Sequence, residues 1–203
     1  FNAAEAVVRF QGFSIHPGDA KGRMVNAAEL AHRFHSLLPA VQRPEYTSGY
    51  EGFYYLEGIS GTVEHATSRY IIRDHDAGKF QAKIDHLLSA VSFMNEEQGC
   101  ERVTVEIKQQ YRNMAEKVAQ YPELITLAKE AFAEAGVEPN VIPIRGGTDG
   151  AQLSFRGLPC PNVFTGGMNF HGVYECIPVK SLDKGAEVAV MLAKKSAEVT
   201  SLQ

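Results

Sequence analysis

Val103-Thr104-Val105-Glu106-Ile107-Lys108 is the stretch on which the fold turns. Apolar and polar residues alternate along it, the period of a strand with one face buried. Gly99 just upstream is a natural helix stop. Before it, Phe80, Ile84, Leu87, Leu88, Val91 and Met94 form one apolar stripe of a helix that Asp76 can cap. Further back, Thr67 to Arg73 and Phe53 to Ile59 are strand-like, with Gly61 breaking them into an antiparallel pair. An earlier helix begins near Met24, buries Ala27, Leu30, Ala31, Phe34, Leu37 and Leu38, and stops at Pro39. Residues 5 to 12 read as the first strand. The order is strand, helix, strand, strand, helix, strand. It predicts a ferredoxin-like α+β domain over residues 5–109: a four-stranded antiparallel sheet with two helices on one face.

Downstream the pattern changes. Leu124 to Ala135 is a helix stopped by Gly136, and its apolar part is Leu124, Ile125, Leu127, Ala128, Ala131 and Phe132. Val141 to Ile144 and Asn162 to Thr165 look like short strands, and each leads into a glycine pair. Ser181 can cap a last helix with Leu182, Ala186, Ala189, Val190 and Ala193 on one face. Helices alternating with short strands predict α/β structure with a parallel sheet for residues 110–203. In such sheets ligands gather at the carboxyl ends of strands, where both glycine pairs fall.

The first pair lies in Arg145-Gly146-Gly147-Thr148-Asp149-Gly150-Ala151-Gln152-Leu153-Ser154. Glycines let a backbone approach a ligand closely, and Thr148 or Asp149 can cap a helix over Ala151 to Phe155. Unpaired N–H groups at a helix start favour an anion, and the planar fork of Arg145 suits a carboxylate or phosphate. A plain turn with a solvated arginine uses the same residue types, so composition leaves both open. A phosphate site is the weaker version, because no Walker-type lysine follows. The second pair, Gly166-Gly167, leads to Asn169-Phe170-His171-Gly172.

Hydrophobic residues make up 44% of the 203, enough for a sizeable core. With a formal charge of -4 and a pI near 6.0, no basic surface asks for nucleic acid or a membrane. No apolar run reaches the roughly 20 residues of a membrane span. Tyr50, Phe53, Tyr54 and Tyr55 cluster without a basic face, which predicts packing rather than base stacking. Cys100, Cys160 and Cys176 lack metal-ligand spacing and read as free thiols of a reducing compartment, so the expected location is cytoplasmic. The chain opens on Phe1 in a strand-like run, as the later part of a longer protein would.

Ile144 to Phe155, then Gly157-Leu158-Pro159-Cys160-Pro161-Asn162, Phe164-Thr165-Gly166-Gly167 and His171-Gly172, together resemble the peptidase T family. These are bacterial tripeptide aminopeptidases of the zinc-dependent aminopeptidase, carboxypeptidase and acylase superfamily. Phe1 to Ala6, Val25-Asn26-Ala27, Gly49 to Tyr54, Gly61-Thr62-Val63 and Tyr70 to Asp74 are similar in the same order.

The resemblance implies a lid domain, which can also dimerise, followed by the C-terminal part of a catalytic α/β domain. It also implies tripeptide substrates and two zinc ions. Of their ligands, only His171 would be in this chain, with Glu175 the nearest candidate companion. His16 matches a lid histidine that binds substrate and steadies the oxyanion, in cis or across a dimer. Arg145 matches the arginine that holds the peptide carboxylate, with Gly146 and Gly147 beside it, and Asn113 falls at a substrate-binding position. The part expected to carry most zinc ligands and the catalytic carboxylates is absent, so the chain alone should be inactive. Another peptidase or deacylase of the superfamily, or a non-catalytic dimerisation module, would share many of these features.

Overall fold

The computed structural model describes residues 1–199. They form two compact units. The first is Phe1–Asn113 joined by Pro143–Gly147; the second is Met114–Ile142 with the chain from Thr148 onward.

The first unit runs β1 (Asn2–Gln11), α1 (Ala27–Leu37), β2 (Phe53–Gly61), β3 (His65–Asp74), α2 (Ala77–Gln98) and β4 (Val103–Tyr111). The sheet order is β2-β3-β1-β4, and every neighbouring pair is antiparallel. This is the expected split βαβ arrangement.

Alternation in the central strand explains the layering. Ala4, Ala6, Val8 and Phe10 of β1 join the core, as do Ala66, Tyr70 and Ile72 of β3. The helices supply Ala27, Leu30, Ala31 and Phe34, then Phe80, Leu87, Ala90, Val91 and Met94, to the same core. Phe34 is fully buried, with its ring edge-on to Phe10 at 5.7 Å and to Tyr70 at 5.8 Å. A side chain of that kind contributes about 1.5–3 kcal/mol by leaving water. In β4 Val103 is buried and Val105 and Ile107 pack against the core, while Thr104, Glu106 and Lys108 are exposed.

Several boundaries move, each for a local reason. Helix α1 starts at Ala27 rather than near Met24, because Asn26 is extended and its side chain accepts from the N–H of Ala28 and Glu29. Residue 25 is already engaged, since Val25 bridges Phe13. Asp76 caps α2 through Lys79 N–H at 2.8 Å, and Gly99 ends it at φ 66°. Leu88 of the expected stripe stands 41% exposed, and Ala90 takes a place in the core instead. Phe53 and Tyr54 are buried, whereas Tyr50 and Tyr55 face solvent.

The second unit is built on helices: α3 (Ala115–Val118), α4 (Pro122–Glu134), α5 (Asp149–Phe155) and α6 (Val179–Glu198). Helix α4 packs on α6. Lys195 of α6 reaches Glu134 at 2.7 Å and Glu130 at 3.3 Å, and Lys184 donates to the carbonyl of Ala135 just past α4. Gly136 stops α4 at φ 69°. The strands expected at residues 141–144 and 162–165 are not formed among the described residues. Both segments are irregular, because a strand needs a ladder partner and neither meets one. Helix α6 begins two residues before Ser181, because the N–H groups of Ser181 and Leu182 already donate to the carbonyl of Pro178, the extended residue that precedes the helix. Its expected apolar face is turned outward. Leu182 and Val190 are exposed, and Val188 is the buried residue. All three cysteines are free, with Cys160 half-buried and Cys100 and Cys176 exposed.

Candidate functional site

In the first unit the site is centred on Arg145. Its Nη1 donates to the carbonyls of Gly49 at 2.8 Å and Glu51 at 2.9 Å, and its Nη2 donates to Thr47 Oγ1 at 2.8 Å. The guanidinium carbon lies 5.4 Å from the ring centres of both Phe1 and Phe53, so the charge also rests on aromatic faces. Three of its five donors are therefore committed to a loop, leaving one N–H on Nε and one on Nη2.

Around it lie groups to which the sequence alone assigns no role. Arg73 Nη1 donates to the Arg145 carbonyl at 3.2 Å, and its guanidinium sits 5.9 Å from Phe53 and from Tyr111. Arg73 Nε, Tyr111 Oη and His75 Nε2 are buried with no hydrogen-bond partner. Burial is the chief reason the His75 imidazole is pushed down to a pKa of about 4. Two guanidinium groups beside orphaned buried polar atoms favour an anion. Arg73 stands in the stretch Tyr70 to Asp74, but nothing in its residue types marks it apart from any strand-end arginine.

Asn113 belongs to the same unit. Its N–H donates to Asn2 Oδ1 at 3.0 Å, and its Nδ2 donates to the His75 carbonyl at 3.1 Å. These bonds tie the end of β4 to the ends of β1 and β3.

Neither Gly146 nor Gly147 has a positive φ. A Cβ on Gly147 would stand 2.5 Å from the Tyr111 ring, whereas one on Gly146 would meet nothing within 4 Å. Gly147 is thus required by an aromatic neighbour. In the second unit Thr148 caps α5, with Oγ1 accepting from Ala151 N–H at 3.3 Å. A Cβ on Gly150 would lie 2.6 Å from the Cys160 carbonyl, so Gly150 lets α5 dock closely on that segment. Ser154 Oγ locks the same contact by accepting from Cys160 N–H at 3.0 Å. With seven residues and its start already capped, α5 gives little support to an anion site of its own.

His16 is exposed at the start of a short 3-10 turn, Pro17–Asp19. Its Nδ1 accepts from Gly18 N–H at 3.0 Å. In the neutral ring the proton then sits on Nε2, which points a donor away from the turn.

His171, in the second unit, is also exposed, on a loop closed by Met168 and Cys176. Those two exchange backbone hydrogen bonds of 2.8 and 3.1 Å. His171 has φ 64° and Asn169 φ 54°, a left-handed conformation unusual outside glycine. The loop holds this strain by a bond from His171 N–H to Glu175 Oε2 at 2.9 Å and one from Gly172 N–H to the Asn169 carbonyl. Glu175 therefore props the loop, and the imidazole is left outward. Backbone strain of this kind gathers at functional sites. Among the described residues no three or more His, Cys, Asp or Glu come together as a metal site.

The comparisons with known proteins bear on this geometry. Residues 1–98 match the family model for the peptidase dimerisation domain. Peptidase T from Parabacteroides distasonis is 53% identical over 198 residues, which cover 97% of this chain and 48% of that protein. Peptidase T from Bacillus subtilis is 48% identical over 195 residues, 96% of this chain and 48% of that protein. The chain spans about half the length of the curated relatives it matches. Among solved structures, aminopeptidase PepT from Bacillus cereus aligns with a TM-score of 0.75 at 22% identity, covering 97% of this chain and 52% of that one. A tripeptidase from Staphylococcus aureus aligns with a TM-score of 0.78 at 19% identity, covering 98% and 52%. At those identities the structural likeness speaks for the fold. Residues 1–98 are similar to the peptidase dimerisation domain, and nearly the whole chain is similar to peptidase T across the half of that protein's length that it spans.

Proposed function

We propose that this chain supplies the lid and the substrate-holding part of a peptidase T-like enzyme that removes the N-terminal residue from tripeptides. The observation that carries the proposal is the 53% identity over 97% of the chain to a protein of that name.

In this proposal Arg145 holds the peptide's C-terminal carboxylate with the two N–H groups that the loop leaves over. Charge-assisted bidentate pairs of that kind are strong and set direction. The backbone of Gly146 and Gly147 lies beside it, and Asn113 braces the strand ends nearby. His16 offers Nε2–H to the oxyanion that develops as the carbonyl is attacked. A preorganised donor gains value as charge builds in the transition state.

Zinc fits this chain only in part. A catalytic zinc site takes three protein ligands and a structural one four. His171 offers a single imidazole, and the described residues assemble no such set. A pair of zinc ions would need donors from beyond them. The chain by itself should therefore hydrolyse no tripeptide.

The test is made in the protein that carries this sequence at the full length of its relatives. It should cleave trialanine faster than an acylated amino acid, and His16→Ala should lower kcat by about 10²–10³ with a smaller change in KM. Preference for the acylated amino acid would replace the tripeptide reading with that of a superfamily deacylase. The matched family description also motivates a homodimer through residues 1–98, to be read by sedimentation of the first unit's parent chain.

A further inference from the structure

The loop that consumes most of Arg145's donors is itself built with care. Gly49 takes φ 51°, a conformation other residues adopt rarely, and this turns its carbonyl toward the guanidinium. The loop closes on itself: Glu51 N–H donates to the Ser48 carbonyl at 2.9 Å, and Ser48 N–H donates to Glu51 Oε2 at 2.8 Å. Thr47 is the hinge of the arrangement. Its hydroxyl donates to the Arg43 carbonyl at 3.1 Å, which commits the hydroxyl proton and leaves a lone pair for Arg145 Nη2.

We propose that Thr47, with the Gly49 and Glu51 carbonyls, is the positioning device that fixes the Arg145 guanidinium for a peptide carboxylate. The inference rests on the carboxylate role of Arg145 proposed above and adds what sets its direction. Both hydrogens of Nη1 have carbonyl acceptors and one hydrogen of Nη2 has Thr47. The plane of the group is thereby pinned at both nitrogens. The two donors left, on Nε and Nη2, are the number a bidentate carboxylate needs. A free arginine side chain loses rotamer entropy when it clamps a ligand; one already ordered by three bonds loses little. Thr47 touches Arg145 and need not touch the peptide, so it acts through position alone.

The experiment titrates the protein that carries this sequence at the full length of its relatives, stripped of metal so that it does not cleave the peptide and labelled for NMR, with trialanine and separately with trialanine amide. The ratio of the two affinities isolates the carboxylate, because a general loss of folding weakens both peptides alike. The unmodified chain should prefer the acid, and Arg145→Ala should abolish the preference. Thr47→Val keeps the shape and removes the hydroxyl; it should cut the preference about tenfold, the effect of one lost charge-assisted bond. Thr47→Ser restores the hydroxyl and should restore the preference. The Arg145 Nε–H resonance gives a second readout, which Thr47→Val should shift or broaden and Thr47→Ser should leave in place.

If Thr47→Val keeps the full preference while Arg145→Ala loses it, the positioning role is overturned and the carboxylate role stands. The positioning role is equally overturned if Thr47→Val weakens both peptides alike or leaves the Nε–H resonance unmoved. If the unmodified chain shows no preference, or Arg145→Ala retains it, the carboxylate role falls and the positioning role with it.

Discussion

Adjacent glycines can be present for opposite reasons, and Gly146 and Gly147 separate cleanly. An added Cβ meets open space at 146 and the Tyr111 ring at 147. Gly146→Ala should therefore leave the melting temperature nearly unchanged. Gly147→Ala should cost about 1–3 kcal/mol, the usual range for forcing an extra carbon into a packed place. Thermal denaturation of both variants checks this, and equal losses would mean that Tyr111 does not confine the chain there. His75 offers a pH test at the same scale. Its folded pKa, about 4, lies below the ordinary 6.5, chiefly through burial. The unfolded chain therefore binds the proton more readily, and stability rises with pH. The contribution is complete above about pH 6.5 and fades as pH falls through 4. In His75→Phe the decline in stability between pH 6.5 and 4 should be shallower than in the unmodified chain, as urea unfolding at each pH would record. An NMR titration that placed the His75 midpoint near 6.5 would remove the basis for this.

At the scale of elements, Asn26 shows how one side chain sets a boundary. It satisfies the N–H of Ala28 and, more weakly, that of Glu29. Asn26→Ala should destabilise the first unit by about 1 kcal/mol, and Asn26→Asp should not. A chemical denaturation midpoint unchanged in Asn26→Ala would assign the start of α1 to tertiary packing instead. The first unit is legible in the sequence because each of its elements is patterned by a core inside the same stretch of chain. Alternation in β4 and the stripe of α1 point at residues that are present to be packed against. The second unit is less legible for the converse reason. Residues 141–144 and 162–165 have strand-like composition but no ladder partner among the described residues. On α6 apolar residues fall on more than one side, so periodicity does not tell which side meets α4. Leu182 and Val190, expected inside, face outward, while Val188 is buried. The candidate site divides along similar lines. The resemblance to the peptidase T family points to Arg145, His16, His171 and Asn113, but it carries no sign of the carbonyls of Gly49 and Glu51. Backbone acceptors have no residue type, and only the fold reveals them.

Across the whole molecule, buried apolar surface is unevenly shared. The core of the first unit includes Phe10, Phe34, Tyr70, Ile72, Leu87 and Met94, and its central strands β1 and β3 are paired on both edges. In the second unit the buried apolar residues are Leu127, Ala131, Ala135, Ala151 and Val188, mostly small. Stability follows buried contacts and is not uniform along a chain. Amides of β1 and β3 should therefore exchange with solvent at the rate of global opening of the first unit. Those of α4 and α6 should exchange faster by about a hundredfold or more, which corresponds to a gap of about 3 kcal/mol. Phe34→Ala sharpens the comparison, since removing a buried ring costs about 3–5 kcal/mol. Protection in β1 and β3 should drop by that amount, and protection in α4 and α6 should stay where it was. If α4 and α6 lose protection in step with β1, the two units open together and their stability is a single cooperative quantity. If instead α4 and α6 are the better protected pair in the unmodified chain, small buried residues and the Lys195 ion pairs hold more than their area implies, and buried area is the wrong guide to this half of the molecule.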